Sequence, residues 1–168
     1  DECSYSGLVK AHVAAKQCNI KLIVGAEFFV DITYGEEKNS VENIIMLAPT
    51  RQAYGQLSTF ISKIRRKNQK GNSYLCYEDC QIGLSDCLIL WSPELQDIDI
   101  QVSVGQKLKA IFQHFWITLE LFQDGFDIDK TAQALTLSSR LNLRLVASNN
   151  VHTHVPERQP LQDILCLL

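Results

Sequence analysis

The stretch RLVASNNVHTHVPERQPLQDILCLL, from Arg144 to Leu168, decides how the rest of the sequence is interpreted. A short apolar run ends abruptly at two asparagines, two histidines spaced by one residue follow, and an amphipathic pattern then resumes. Short apolar runs bounded by polar turn residues are typical of buried strands, and apolar residues three and four apart are typical of helices. The stretch therefore predicts a strand, a polar loop and a helix, and the loop contains Asn149, Asn150, His152 and His154.

The same alternation of strand and helix runs through the upstream sequence. Strand-like runs are KLIVGAEFFV, NIIMLA, CLILW, FWITLELF and RLVAS, and segments with helical spacing lie before, between and after them. The polar segment DITYGEEKNS, which contains Gly35, is expected to be a loop. Short buried strands alternating with helices are typical of α/β proteins in which helices cover parallel strands. About five strands are too few for an eight-unit barrel of about 250 residues, which leaves a small open sheet or part of a barrel.

Composition narrows the class of protein. Hydrophobic residues make up 46% of the 168 residues, which favours one domain with a substantial core. Sixteen basic and nineteen acidic residues give a net charge of −3, so a global basic field that would hold nucleic acid is not expected. The sequence shows neither a membrane-length apolar run nor a signal peptide, and we expect a cytoplasmic chain without a membrane partner. We interpret its ends as cuts within a longer chain.

Six cysteines are scattered through apolar segments rather than arranged in a dense framework. This distribution favours reduced thiols over disulfides. The closest pair, in CYEDC, has no second pair at zinc-finger spacing, so two ordinary cysteines are favoured over a structural zinc site.

Acidic side chains follow several predicted strands. Glu27 follows LIVGA, Glu94 follows CLILWSP, and Asp1 and Glu2 precede the first helix. Ligands of α/β proteins gather beyond the carboxyl ends of parallel strands, so these carboxylates and the loop histidines could converge there. Such a group would suit a divalent metal that activates water against a phosphoester. Spacing alone favours the alternative that these side chains are helix caps, loop hydrogen-bond partners or solvated groups.

A basic run, KIRRKNQKG, is expected at the end of the second helix. Its arginines, Arg65 and Arg66, are candidate phosphate contacts. Cations at a helix C-terminus also complement the helix dipole, and this second interpretation is favoured. Nucleophile elbows, Walker loops and Rossmann glycine fingerprints do not occur in the sequence, which argues against nucleotide binding by those routes.

Four segments carry a family resemblance: DECSYSGLVKAHVAAKQCNIKLIVGAEF, IIMLAPTRQAYGQLSTFIS, CLILW and LVASNNVHTHVPERQPLQDILCLL. In that order they resemble the PHP (polymerase and histidinol phosphatase) domain of bacterial DnaE-type DNA polymerase III alpha subunits. DECS and VHTHVPERQPLQD are most similar to the error-prone, ImuC-like branch. The resemblance implies an α/β fold, a partial and distorted (β/α)7 PHP barrel lacking its first strand or strands, with residues 1–168 forming a single PHP domain fragment of a larger polymerase.

The resemblance also implies a set of metal-ligand positions at the strand ends. Three residues match the family ligands: Asp1, Glu27 and His152. Four positions are altered, two of them to asparagine: Glu2, Asn43, Glu94 and Asn150. An asparagine offers a neutral oxygen where the family has a histidine nitrogen or an aspartate charge, so each such change weakens attraction for a divalent cation. We expect no catalytic residue and no cofactor in the fragment; zinc or manganese would bind if the site were intact.

The leading functional hypothesis is a structural PHP domain within an error-prone polymerase used in damage-induced translesion DNA synthesis. The alternative is a metal-dependent phosphoesterase or 3′–5′ exonuclease acting within that polymerase, and a third candidate is a DNA-binding module. The implied partners are the rest of the polymerase chain, DNA through the parent protein, a sliding clamp and mutasome proteins. Nucleotidyl transfer, with its magnesium, is expected in the palm domain of the parent, outside this fragment.

Overall fold

Helices and strands alternate in the computed structural model, which describes residues 2–34, 38–81, 83–123 and 125–165. The helices are α1 (Leu8–Gln17), α2 (Arg51–Lys67), α3 (Ile98–Ile111), α4 (Asp127–Leu141) and α5 (Gln159–Leu165). The strands are β1 (Val24–Tyr34), β2 (Lys38–Ala48), β3 (Leu75–Cys76), β4 (Leu88–Ser92), β5 (Phe115–Glu120) and β6 (Arg144–Ser148). Short 3₁₀ turns at Tyr77–Gln81 and Pro156–Arg158 follow β3 and precede α5. The predicted α/β class is confirmed.

The described strands form one mixed sheet in the order β3-β1-β2-β4-β5-β6. β2 pairs antiparallel with both β1 and β4, whereas the other neighbouring strands pair in parallel. β2 therefore runs against the other five strands, which differs from the parallel arrangement expected from the sequence. β3, at one edge, was not predicted because its two residues carry too little pattern to identify a strand.

The expected loop DITYGEEKNS is largely strand. β1 continues to Tyr34 and β2 begins at Lys38, and the antiparallel ladder pairs these two residues. Polar residues are tolerated there because Ile32 faces the core while its neighbours Asp31 and Thr33 face the other side. Gly35 lies outside the described residues.

The core lies on one face of this sheet. Phe28 of β1 meets Phe60 of α2 edge to face, with ring centroids 5.4 Å apart. On β4, fully buried Trp91 lies under α3 and stacks on Phe115 of β5 at 6.1 Å. α4 packs against α3, β5 and β6. Three helices thus cover this face, while residues of the opposite face remain partly accessible.

A carboxylate is buried within the core layer. Glu42 of β2 is 2% exposed and accepts hydrogen bonds from the Ser40 hydroxyl at 2.5 Å and from Trp91 Nε1 at 2.7 Å. Each of its oxygens therefore has a donor, which offsets the cost of removing the carboxyl group from water. The bond from Trp91 also connects β4 to β2 through side chains, in addition to the backbone ladder, whereas the bond from Ser40 lies within β2.

The first and last helices add little to the core. α1 and α5 contain no buried residue among those described, although apolar spacing correctly predicted both as helices. Val9 and Ile164 are 75% and 58% exposed. Within the described ranges, every helix is too short or too polar to cross a bilayer.

The five cysteines in the described part of the chain are free thiols, as expected; Cys166 lies outside it. Burial raises the pKa of Cys80 to about 12 and that of Cys87 to about 11. At neutral pH these thiols are protonated, which suits side chains that fill the interior.

Two helical glycines should respond oppositely to the same substitution. A Cβ at Gly105 would lie 2.4 Å from Leu141 Cδ1 and 2.8 Å from Trp91 Cζ3, whereas a Cβ at Gly55 would meet nothing within 4 Å. We expect Gly105→Ala to lower the free energy of unfolding by about 1–3 kcal/mol through overpacking. Gly55→Ala should raise it by about 1 kcal/mol because alanine favours helix. Urea unfolding of both variants measures this, and two changes of the same sign would contradict the packing of α3 on β4.

The buried carboxylate gives a second matched pair. Glu42→Gln keeps an oxygen for Trp91 Nε1 and an amide for the rotatable Ser40 hydroxyl, so we expect a small loss of stability. Glu42→Leu leaves both donors unsatisfied, at a cost of about 1–3 kcal/mol for each. Chemical denaturation at neutral pH compares the two, and equal losses would mean that the hydrogen bonds contribute nothing beyond side-chain shape.

Candidate functional site

The centre of the candidate site is a pair of side chains on the hairpin. Asn43 Nδ2 of β2 donates a hydrogen bond to Glu27 Oε1 of β1 at 2.7 Å. In the hairpin register Glu27 lies opposite Ile45 and Asn43 opposite Phe29, so the two residues are diagonal neighbours on the face away from the helices. Glu27 was expected beyond the end of a strand; it lies instead within β1, since the strand continues to Tyr34.

The chemistry of this pair is that of a neutral donor and a carboxylate. A carboxylate can only accept hydrogen bonds, so the Asn43 amide must present its nitrogen to Glu27. The other amide atom, Asn43 Oδ1, is buried and has no hydrogen-bond partner among the described residues. Both residues are half-buried. One oxygen of the Glu27 carboxylate is thus hydrogen-bonded by an amide.

Glu2 approaches Glu27 through the backbone. The two residues form an isolated parallel bridge, and the N–H of Cys3 donates to the Glu27 carbonyl at 2.8 Å. The Glu2 carboxylate, however, accepts a hydrogen bond from the Ser73 hydroxyl. Glu2 therefore has a partner of its own near the end of α2. Asp1 lies outside the described residues.

Asn43 also lines a cleft of about 230 Å³ at the carboxyl ends of β4 and β5. Glu94 lies on the loop that forms one wall of this cleft and is exposed. Its carbonyl oxygen accepts a hydrogen bond from Gln133 Nε2 of α4 at 2.8 Å, which ties the loop to the helix layer. The cleft therefore brings together Asn43 and Glu94, two of the altered family positions.

The residues after β6 are divided between two shallow hollows. Asn150 has a positive φ of 41° and lines one hollow together with Glu27. His152 lines the other, with His154 and Arg158, and is exposed. The structure consequently brings Asn150, but not His152, to the same hollow as Glu27.

The described residues do not fit a metal centre. In residues 2–34, 38–81, 83–123 and 125–165, no three His, Cys, Asp or Glu side chains are grouped so that they could hold an ion. At Glu27, the oxygen bonded to Asn43 faces an N–H group, which is a hydrogen-bond donor and cannot serve as a metal ligand.

Two cations of the basic run have hydrogen-bond or ion-pair partners among the described residues, and three have none. Arg65 Nε and Nη2 donate to the carbonyls of Cys3 and Glu2, each at 3.0 Å. Lys67 Nζ lies 2.5 Å from Asp79 Oδ2. Lys63, Arg66 and Lys70 are exposed and have no hydrogen bond or ion pair to any described residue. The candidate phosphate contacts therefore separate into Arg65, which holds the N-terminal segment, and Arg66, which faces solvent.

A further polar cluster was not predicted. Cys76 donates both its N–H and its thiol to Asp79 Oδ2, at 3.2 and 3.1 Å. Burial opposes ionisation of Asp79, but hydrogen bonds from Lys67 and Cys76 outweigh it and hold the pKa of that carboxyl below its ordinary value. Burial and the hydrogen bond to Asp79 raise the pKa of the Cys76 thiol. The CYEDC spacing was the available signal, but it does not reveal Lys67, which comes from α2.

Sequence comparison adds information that the geometry does not carry. No protein-family model matches the chain. It is 39% identical over 167 residues to the error-prone DNA polymerase of Methylococcus capsulatus, and 35% identical over 167 residues to that of Idiomarina loihiensis. It is also 38% identical over 165 residues to that of Saccharophagus degradans.

Each of these alignments covers 98% of the chain and 15% of the relative. The chain therefore spans about 15% of the length of the curated relatives that it matches. Almost all of it is similar to one segment of proteins named error-prone DNA polymerase, which confirms the expected relationship at that level.

Proposed function

We propose that the chain is the PHP segment of an error-prone DNA polymerase used in damage-induced translesion synthesis. Within that polymerase it is an architectural unit, part of a (β/α)7 barrel that holds no metal cluster. Nucleotide addition, its magnesium, and contacts with a sliding clamp and mutasome proteins belong to the remainder of the polymerase. Support for the polymerase context comes from the whole-chain similarity to relatives of that name.

One observation carries the architectural role: the hydrogen bond from Asn43 Nδ2 to Glu27 Oε1. At a metal centre at least one carboxylate oxygen must face the cation, and a histidine at position 43 would add a nitrogen ligand beside it. Asparagine supplies an N–H that satisfies the carboxylate without a metal. The alteration thus turns a ligand pair into a bond between neighbouring strands.

The directions of the strands and the position of the helices on one face support a barrel segment. Five strands run in one direction, and helices cover one face of the sheet. The opposite face carries Glu27, Asn43 and the cleft beside Glu94. In a closed barrel such a face would be the interior, and polar residues near strand ends would lie at its mouth.

Metal content provides the direct test. We expect the purified chain, equilibrated with zinc or manganese and then passed over a desalting column, to retain far less than one ion per molecule. Its thermal midpoint should be the same with added metal and with chelator, because an ion that binds only the folded state would raise it. Glu27→Gln is the matched control and should behave like the wild type. Stoichiometric metal with metal-dependent phosphoester hydrolysis, both lost in Glu27→Gln, would establish the phosphoesterase alternative instead.

The polymerase context can be tested by replacement. We expect the chain to substitute for the corresponding segment of the Methylococcus capsulatus polymerase and to give a soluble chimaera that extends primers. Glu27→Ala in the chimaera should change the extension rate by less than about twofold, or about 0.4 kcal/mol in activation free energy. Trp91→Ala should lower the yield of soluble enzyme, because truncating a buried aromatic residue costs about 3–5 kcal/mol. A folded Glu27→Ala chimaera without primer extension would refute the architectural role.

A further inference from the structure

The distribution of charge along the chain is uneven around α2. Residues 43–77 contain six basic residues and no aspartate or glutamate. Five of these cations lie in or just after the last turns of α2, between Lys63 and Lys70. The chain as a whole is acidic, with a net charge of −3, so this end of α2 is a local reversal of sign.

Three of these five cations have no hydrogen-bond or ion-pair partner among the described residues. Arg65 is occupied by two backbone carbonyls and Lys67 by Asp79. Lys63, Arg66 and Lys70 are exposed, without a hydrogen bond or ion pair to any described residue. Lys63 and Arg66 are three residues apart and so share a helix face, and Lys70 lies in the turn after α2. We call these three residues the basic patch.

We propose that the basic patch binds the phosphodiester backbone of a nucleic acid. The choice of nucleic acid among polyanions rests on the proposed polymerase function, whereas the patch itself rests on the charges and exposures above. Long basic side chains that are free of internal partners can each neutralise one phosphate and release its counterions. These contacts reach only the phosphate backbone of the nucleic acid, so the binding does not depend on base sequence.

The surroundings of the patch are compatible with an anionic strand. Beside Lys63 is a shallow hollow of about 360 Å³ that includes Gly55, Thr59 and Gly83. Among residues 2–34, 38–81, 83–123 and 125–165, and apart from the chain neighbours of each glycine and the adjacent backbone of α2, no atom lies within 4 Å of a Cβ placed at Gly55 or Gly83, so a phosphodiester backbone can approach α2 closely there. Carboxylates at this end of α2 have donors of their own: Glu2 has Ser73, Asp31 has Tyr74 and Asp79 has Lys67. These carboxylates reduce the net charge at this end of α2, but their bonds are to Ser73, Tyr74 and Lys67 rather than to the basic patch.

The negative end of the α2 dipole is the competing explanation for cations at this position. That effect acts within the last turn and applies equally to neighbouring residues such as Arg65 and Arg66. The structure separates these two residues, because Arg65 is anchored and Arg66 is not. Substituting them individually therefore distinguishes a phosphate contact from a general effect of charge.

The experiment measures binding of the chain to fluorescent single-stranded and duplex oligonucleotides by anisotropy over a range of salt concentrations. We expect dissociation constants on the order of 10⁻⁴ to 10⁻⁶ M. The slope of log K against log salt should correspond to about three phosphate contacts. Lys63→Gln, Arg66→Gln and Lys70→Gln should each reduce the slope of log K against log salt by about 0.7–0.9. The triple variant should abolish measurable binding. The tighter oligonucleotide form identifies whether single strands or duplex are preferred.

Arg65→Gln makes the same change in charge and should leave the salt slope unaltered while lowering thermal stability. If that variant does not fold, Arg51→Gln replaces it as the control, since Arg51 begins the same helix about 22 Å from Arg66. Equal weakening by the control and Arg66→Gln would overturn the proposal, as would failure of the wild type to bind either oligonucleotide. Poly-glutamate that competes as strongly as DNA would overturn the choice of nucleic acid. None of these results depends on metal content or primer extension, so the proposed function is judged separately.

Discussion

The antiparallel pairing of β1 with β2 is the constraint on which the rest of the structure depends. Its register sets alternate residues of both strands against the helices or on the opposite face. A slip of β1 by one residue along β2 would exchange Phe28 with Glu27 on the core face, and would place a charged group against the helices. The pairing that builds the hydrophobic layer therefore also forms the amide–carboxylate pair. Fold and candidate site are consequences of one register.

The buried carboxylate of Glu42 also constrains how the strands are aligned. Glu42 accepts the hydrogen bond of Trp91 only if β2 is aligned correctly with β4, since Ile44 lies opposite Trp91 in the ladder. A purely apolar layer would tolerate more than one packing, whereas hydrogen bonds that require specific partners favour one. The same side of the molecule contains Gly105, where the close approach of α3 to Trp91 leaves no room for a methyl group. Packing and polar bonds thus specify the same arrangement of β4.

The sequence predicted the helices and strands better than it predicted the directions of the strands and the contacts between side chains. Apolar spacing identified α2, α4, β4 and β5, because each has one consistently buried face or a short buried run. The direction of β2 was not predictable, since periodicity carries no information about strand polarity. The family resemblance implied that Asn43 is an altered ligand position, but its bond to Glu27 joins residues sixteen apart and depends on the hairpin register, so the bond was not predictable. The difference in contacts between Arg65 and Arg66 was also not predictable, because adjacent arginines have the same chemistry and the sequence does not show their contacts.

The attachment of the N-terminal segment has a mechanical consequence. Residues 2–5 are held by the Cys3 N–H on β1, by Arg65 from the end of α2, and by the stacking of Tyr5 on Tyr54 at 5.3 Å. These three attachments join the segment to β1 and to both ends of α2, ahead of α1, which has no buried residue. Force applied at Glu2 would therefore act on β1 and α2 before it reached α1.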